Sequence, residues 1–213
     1  MSRGPSGLDP DIFIRDSLRL APAPGFADLQ LYAAHPGSRL SRLENTGVAP
    51  YWAYVWSGGA ALARHVLARP DTVRGRRVLD FGCGGGIVAI AAARSGAAEV
   101  HALDTDRFAR AACALNARAN GVAVHTLAPA DPLPTLDLIL CGDVFYDAPS
   151  AARNLPLLDA FRAAGLDVLV GDPGRPDLPL DRLTLIASYD GPEFGAGASG
   201  TPAAVYGYRP EQV

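Results

Sequence analysis

The architecture of this chain follows from one segment, Val78-Leu79-Asp80-Phe81-Gly82-Cys83-Gly84-Gly85-Gly86. Apolar residues lead into an acid and then into glycines, and the chain becomes apolar again from Ile87 to Ala91. This pattern predicts a buried parallel strand, a tight turn and the start of a helix, which is the layout of a nucleotide-binding crossover. Glycine suits the turn because the backbone bends sharply and a ligand approaches where a Cβ would collide.

The spacing of the glycines distinguishes two classes of nucleotide. A dinucleotide fingerprint that starts at Gly82 requires a sixth-position glycine where this chain has Ile87. The chain instead has the order Asp80-x-Gly82-x-Gly84-x-Gly86, with an acid two residues before the first glycine. This order resembles the first motif of class I S-adenosylmethionine (SAM) methyltransferases. The alternative is a turn that only packs the strand against the helix.

A second predicted strand, residues 98–104, also ends in an acid. Asp104 lies roughly 20 residues beyond the glycine turn, where nucleotide-binding folds place the carboxylate that accepts the ribose hydroxyls. Its alternative role is to cap the next helix, and Asp106 fits that role better. We therefore predict that Asp104 binds the cofactor.

Strands and helices alternate along the rest of the chain. The predicted helices are 60–67, 87–94, 107–120 and 154–164, and further strands are predicted at 122–127, 136–143, from 168, at 183–189 and at 203–208. The predicted fold class is α/β, with a doubly wound, mostly parallel, seven-stranded Rossmann-like sheet whose last strand is antiparallel. Residues 49–213 form this domain, and residues 1–48 form a partly flexible extension on the substrate side with a short strand at 29–32.

The composition is that of an ordinary globular domain. The 213 residues are 49% hydrophobic and 19% charged, and the net charge of -3 offers no basic face to nucleic acid or an anionic membrane. No apolar run approaches the ~20 residues of a membrane-spanning helix, so we expect a cytoplasmic location. All 19 basic residues are arginine, which excludes P-loop and Schiff-base lysine chemistry. Neither the three cysteines nor the four histidines have metal-ligand spacing, and no metal is predicted.

An aromatic segment precedes the first predicted helix. Trp56 stands just before Gly58-Gly59, so we expect it to face a ligand, and an indole face within about 6 Å attracts a cation such as a sulfonium. Trp52 and Tyr54 are better explained as rings that seal the core. In the loop after the third strand, Asp131 is either an acceptor for the adenine amine or a solvated acid.

The strand at 136–143 is apolar until it ends at Asp143, and Phe145 and Tyr146 follow. An open α/β sheet places its reacting groups at the carboxyl ends of central strands, so this acid and its aromatic neighbours predict an active site. The alternative is an acid that caps a helix beside two rings that close the edge of the sheet.

Taken together, several segments resemble the electron transfer flavoprotein beta-subunit lysine methyltransferase family (family-16-type protein methyltransferases) and its bacterial relatives. The similarity runs from about residue 50 to the C-terminus. The Gly-Asp-Pro-Gly-Arg-Pro turn is more specific than the glycine turn, which class I methyltransferases share. The segments that carry the resemblance are 50–59, 78–86, 142–147 and 171–176, and 205–210 also fits.

The resemblance implies SAM-dependent N-methylation of a lysine on a protein, with the electron transfer flavoprotein beta subunit as the expected substrate. It implies that Asp143 holds and orients the incoming amine, with Tyr146 and Phe145 as the wall of the pocket. Asp172 and Arg175 would shape the rim that receives the substrate loop.

For the cofactor, the resemblance implies that Gly82, Gly84, Gly86 and Asp104 hold SAM and that Asp80 anchors its amino group, either directly or through water. Three other functions stay open at this point. They are methylation of a small nicotinamide-like amine, methylation of a different protein such as a ribosomal protein, and SAM binding without catalysis.

Overall fold

The computed structural model describes residues 8–44, 49–191 and 201–209. Within these ranges nine strands form two sheets. In chain order the strands are β1 (Arg19–Ala23), β2 (Phe26–Ala33), β3 (Arg77–Phe81), β4 (Glu99–Leu103), β5 (His125–Leu127), β6 (Leu138–Gly142), β7 (Asp167–Asp172), β8 (Leu183–Gly191) and β9 (Thr201–Tyr208).

The large sheet has the strand order β5-β4-β3-β6-β7-β9-β8, and β1 and β2 form a separate antiparallel hairpin. Strands β3 to β7 are parallel to one another, whereas β9 runs antiparallel to both of its neighbours, β7 and β8. The chain adds β4 and β5 on one side of β3 and then returns to add β6 and β7 on the other side, so the strand order reverses next to β3. The predicted mostly parallel, seven-stranded sheet with an antiparallel last strand is confirmed.

The described part of the chain contains six α-helices, of which several cover the two faces of the large sheet. They are α1 (Pro10–Ser17), α2 (Ser41–Glu44), α3 (Ser57–Ala68), α4 (Ile87–Arg94), α5 (Arg107–Ala119) and α6 (Ala148–Ala163). Because side chains alternate along a strand, Val78 and Leu138 pack with α3 and α4 on one face, while Leu79 and Ile139 pack with α6 on the other. No helix in the described part of the chain is both long and apolar enough to cross a membrane.

Two helices begin earlier than predicted. Helix α6 starts at Ala148 because the Asp147 carboxylate accepts the Ser150 N–H at 2.7 Å, and Pro149 is tolerated in a first helical turn. Pro156 lies inside this helix and makes the sequence look interrupted. Helix α3 starts at Ser57, so it includes the glycine pair that follows Trp56.

The N-terminal region packs against α5. The rings of Phe13 and Phe108 meet edge to face with centroids 5.7 Å apart. The side-chain oxygens of Asn116 and Asn120 accept the N–H groups of Tyr32 and Gln30 at 2.7 Å and 3.0 Å. The predicted strand at 29–32 lies within β2, and two asparagines one turn apart bind its edge to the helix.

Candidate active site

A crevice of about 470 Å³ opens at the carboxyl ends of β3, β4 and β6. Sites for small molecules commonly have volumes of about 300–1,000 Å³ and lie where the strand order of an open α/β sheet reverses. The residues of the predicted site that line it are Trp56, Asp80, Gly82, Gly84, Asp104, Asp143, Tyr146 and Arg175.

The glycine turn between β3 and α4 forms one wall. Gly82 and Gly84 have φ angles of 75° and 49°, and both line the crevice. Gly86 instead faces α5, where a Cβ would lie 2.5 Å from the Cys113 Sγ. The predicted cofactor contact of Gly86 is therefore corrected to a packing role.

Asp104 follows β4 and closes the next side of the crevice. Its Oδ2 accepts the Gly84 N–H and its Oδ1 accepts the Asp106 N–H, each at 2.9 Å. Each carboxylate oxygen has two acceptor positions, so both can also accept a hydroxyl. Burial raises the pKa of Asp104, and the two N–H donors oppose that rise. Asp106 caps α5 by accepting the Phe108 N–H at 2.8 Å, as predicted.

Asp80 lies within β3 and is 1% exposed. Its Oδ2 accepts the Ala89 N–H from the first turn of α4 at 2.9 Å. Burial raises the pKa of Asp80 to about 7, and the charge of Asp104 acts in the same direction. A neighbouring cation would favour the ionised carboxylate and lower this pKa.

Asp143 has an unusual backbone at the end of β6. Its φ of 57° is the one positive value among the described residues other than glycine, and aspartate is among the few residue types that tolerate this region. Its Oδ2 accepts the Gly59 N–H at 2.6 Å, and its Oδ1 accepts a hydrogen bond from the Arg175 guanidinium. Burial raises the pKa of Asp143, and the charge of Arg175 opposes that rise.

A close approach of two backbones brings α3 to Asp143. A Cβ on Gly58 would lie 2.2 Å from the Gly171 carbonyl oxygen, and a Cβ on Gly171 would lie 2.2 Å from the Gly58 oxygen. Any other residue at either position would force α3 away from β7. The contact presents the positive N-terminal end of α3, through the Gly59 N–H, to the carboxylate.

Aromatic side chains surround the mouth of the crevice. The Tyr51 ring lies 5.7 Å from Trp56 and 6.0 Å from Tyr146, measured between centroids. The Trp56 Nε1–H donates to the Tyr51 carbonyl oxygen at 2.9 Å, which fixes the indole. Tyr51 and Tyr146 are about half exposed, at 53% and 50%. Trp52 is buried in the core, and both Trp52 and Tyr54 line the crevice.

Three predicted site residues lie elsewhere. Phe145 is fully buried in the core between the sheet and α6, so the prediction that it forms the pocket wall is wrong. Asp131 is exposed and accepts the Ala128 N–H of its own loop at 2.7 Å, outside the crevice. Asp172 is also fully buried, so its own side chain is not exposed at the rim, and its Oδ1 accepts the N–H groups of the turn that carries Arg175.

Sequence reasoning missed Asn116, Tyr51 and the pairing of Asp143 with Arg175. The Asn116 side chain donates to the Gly85 carbonyl oxygen at 2.8 Å while it holds β2, so it links the glycine turn to the N-terminal hairpin. The sequence signal for Asn116 was an asparagine inside a predicted helix. Asparagine is unfavourable there, because its short side chain competes for backbone hydrogen bonds, so its presence indicates a specific partner.

Solved structures identify the class of fold. Ribosomal protein L11 methylase of Lactobacillus delbrueckii subsp. bulgaricus is similar, with a TM-score of 0.51 and 24% identity, covering 70% of this chain and 77% of that chain. The family model described as ribosomal protein L11 methyltransferase (PrmA) matches residues 65–142, from α3 to the end of β6. The fold is that of the class I methyltransferases.

Sequence comparison gives more closely similar relatives. Electron transfer flavoprotein beta subunit lysine methyltransferase of Rattus norvegicus is 44% identical over 153 residues, which are 68% of this chain and 60% of the rat protein. Ribosomal protein L11 methyltransferase of Stenotrophomonas maltophilia is 44% identical over 102 residues, which are 46% of this chain and 32% of that protein. The predicted resemblance to the first of these families is confirmed, and the chain spans 60% of the length of its rat relative.

Proposed function

We propose that this chain binds SAM in the crevice and transfers the methyl group to a lysine of a protein, with the electron transfer flavoprotein beta subunit as substrate. The observation that carries the proposal is that one crevice contains both the glycine turn with Asp104 and the buried Asp143 beside Tyr146. The similarity to the rat lysine methyltransferase supports the choice of substrate.

The residues that line the inner crevice fit SAM. Gly82 and Gly84 leave room for the ligand, because neither has a Cβ. Asp104 accepts the ribose hydroxyls, Asp80 pairs with the amino group, and the fixed Trp56 ring attracts the sulfonium. When bound, SAM supplies an activated methyl group on a positively charged sulfur.

Asp143 and Tyr146 act on the methyl acceptor. The amine nitrogen forms a bond to the methyl carbon as the bond from that carbon to sulfur breaks, so the amine must first lose its proton. A free lysine has a pKa of about 10.4, and a poorly hydrated pocket lowers it. Asp143 orients the amine, and Tyr146 guides the side chain at the mouth. Alignment of this kind supplies roughly 7–11 kcal/mol in favourable cases.

The remaining parts of the proposal concern the rest of the chain. We infer that the hairpin of the N-terminal extension lies on the substrate side, because Tyr32 and Ala33 line the crevice. A cytoplasmic location, a bacterial source and the lack of nucleic-acid and membrane partners stay predictions from composition and resemblance.

The test is transfer of radiolabel from SAM to a panel of acceptors. The panel contains the electron transfer flavoprotein beta subunit, ribosomal protein L11 and nicotinamide, and the labelled residue is mapped by mass spectrometry. We expect label on lysine of the flavoprotein subunit. This chain has no lysine, so a labelled lysine belongs to the substrate.

The control variant is Asp143→Asn, which keeps the shape of the side chain and a residue type that tolerates positive φ. We expect it to bind SAM like the wild type and to lose at least about 100-fold in turnover. Label on L11 or nicotinamide alone would replace the proposed substrate. SAM binding with no transfer to any acceptor would reduce the protein to a binding module.

A further inference from the structure

The turn after β7 is built to fix one arginine. The Asp172 Oδ1 accepts the N–H groups of Gly174 and Arg175 at 2.7 Å and 2.8 Å. Gly174 has a φ of 90°, and Pro173 and Pro176 restrict the backbone on either side. The carboxylate, the glycine and the prolines therefore leave this turn little freedom to move.

The braced arginine points back to the neighbouring strand. The Arg175 Nη1 donates to the Asp143 Oδ1 and lies 3.5 Å from the Asp172 Oδ2. The side chains of Arg175 and Asp143 are only 17% and 10% exposed, so water screens their attraction poorly. The Asp143 N–H also donates to the Gly171 oxygen at 2.9 Å, which ties together the ends of β6 and β7.

The charged side chains that act on the pKa of Asp143 most directly are Asp172, at the end of β7, and Arg175, in the turn that follows, and Arg153 of α6 lines the same crevice. Arg175 favours its ionised form, and the negative charge of Asp172 opposes ionisation. Helix α3 contributes no charged side chain there and offers the Gly59 N–H. Without Arg175, the buried carboxylate would have one backbone donor and a neighbouring anion, conditions under which a carboxyl group takes up a proton.

We propose that Arg175 is a positioning residue, which acts through Asp143 and keeps that carboxylate in the orientation and charge state that the methyl acceptor requires. This inference rests on the proposed function. A carboxylate has about four acceptor positions, and Gly59 and Arg175 occupy two of them. The others remain for the N–H groups of the acceptor amine, so Arg175 and the amine share Asp143.

The positive charge of Arg175 has a second effect on the same amine. An ammonium that enters beside a guanidinium is disfavoured relative to the neutral amine, because like charges repel. The pair therefore attracts the acceptor through Asp143 and favours loss of its proton through Arg175.

The test compares Arg175→Gln and Arg175→Lys with the wild type over a range of pH. Plotted against pH, the logarithm of kcat/KM should rise with a slope of two where both Asp143 and the amine must lose a proton. Above the pKa of Asp143 the slope should fall to one, and we call this change of slope the break. We expect the break to move up by about 1–3 pH units in Arg175→Gln, because an adjacent arginine lowers a carboxyl pKa by that amount. Arg175→Lys should keep the break close to its wild-type position.

The matched control is Arg77→Gln, which removes another arginine–aspartate pair, with Asp137, at the opposite end of the sheet. It should leave the break unchanged. Because Arg175→Lys introduces the sole lysine of the chain, its intact mass is checked for methylation. If both Arg175 variants lost kcat/KM equally and the break did not move, the proposal would be overturned, and Arg175 would only stabilise the turn.

A measurement without turnover separates this inference from the proposed function. The carboxyl carbon of Asp143 is titrated by NMR in the wild type and in Arg175→Gln, and Asp143→Asn identifies its signal. A higher pKa in Arg175→Gln supports the inference even if none of the offered acceptors is methylated. An unchanged pKa contradicts it even if the enzyme methylates the flavoprotein subunit.

Discussion

Asp80 is a buried acid and Asp104 a partly buried acid beside the glycine turn, and they differ in their hydrogen bonds. Asp104 accepts two backbone N–H groups across its two oxygens, whereas one oxygen of Asp80 accepts a single N–H from α4. Backbone donors offset the cost of burying a carboxylate, so Asp104 is held in position for a ligand. The two residues therefore give different predictions.

Asp104→Ala should weaken SAM binding by about 10- to 100-fold, because hydrogen bonds to a charged group contribute about 1.5–3 kcal/mol each. Calorimetric titration measures the change. Asp131→Ala is the matched control, since that carboxylate is exposed and lies outside the crevice. Native SAM affinity in Asp104→Ala would contradict the ribose assignment, and a loss in Asp131→Ala would restore its predicted adenine contact.

Asp80 should make stability depend on pH. The folded state keeps its proton up to about pH 7, while the unfolded state loses it near pH 4, so the free energy of unfolding falls as pH rises between these values and then levels off. Asp80→Asn lacks this loss. Relative to pH 4, the free energy of unfolding of the variant should rise by about 3 kcal/mol over that of the wild type by pH 7, because each pH unit between the two pKa values contributes at most about 1.4 kcal/mol.

Denaturant titrations of both ligand-free proteins across that range measure this difference. Asp143 titrates in both proteins, so subtraction removes its contribution, and the difference that remains belongs to Asp80 together with the charge of Asp104 that acts on it. Parallel curves for the two proteins would show that the pKa of Asp80 is not raised by burial.

Among the elements, α5 connects the N-terminal hairpin to the crevice through two asparagines with separate contacts. Asn116 binds both β2 and the glycine turn, whereas Asn120 binds β2 and the side chain of Arg94. Asn116 is 1% exposed, and its loss leaves the partly buried Tyr32 N–H and Gly85 carbonyl without their partner. This geometry lets one helix transmit the position of the hairpin to the cofactor site.

Asn116→Ala should lower the free energy of unfolding by about 2–4 kcal/mol, since each unsatisfied buried group costs about 1–3 kcal/mol. It should also weaken SAM binding, because Gly85 is no longer held. Asn120→Ala should reduce stability and leave SAM affinity unchanged. Denaturant titration measures the stability of the two variants, and calorimetry measures their SAM affinity. Equal SAM affinities would contradict the prediction that the hairpin acts on the cofactor site through Asn116.

For the whole molecule, the connection through Asn116 predicts how SAM changes local opening of the N-terminal hairpin. SAM should slow amide hydrogen exchange at Gln30 and Tyr32 in β2, because binding orders the crevice wall that Tyr32 forms. The far β8–β9 edge provides the internal control, and conditions are chosen so that exchange occurs by local opening. Protection in β9 without protection in β2 would contradict a coupled N-terminal region.

The sequence predicted the sheet and much of the crevice because their signals are local. An apolar strand that ends in Asp80 or Asp143 reveals both its burial and the end that carries the site. The Asp143–Arg175 pair depends on which strands become neighbours, and no local pattern contains that information. Phe145 and Tyr146 are adjacent, and the turn after β6 buries one and exposes the other. Sequence spacing does not indicate which ring turns inward.

The contact between Gly58 and Gly171 has a consequence for how ligands enter and leave. Main-chain atoms meet there without side chains between them, so α3 has no room to tilt inward and separates from β7 only by losing the bond that fixes Asp143. That wall is in effect stationary during turnover. Any change in the width of the crevice would therefore come from the rest of its lining, which includes Tyr32 and Ala33 of the hairpin.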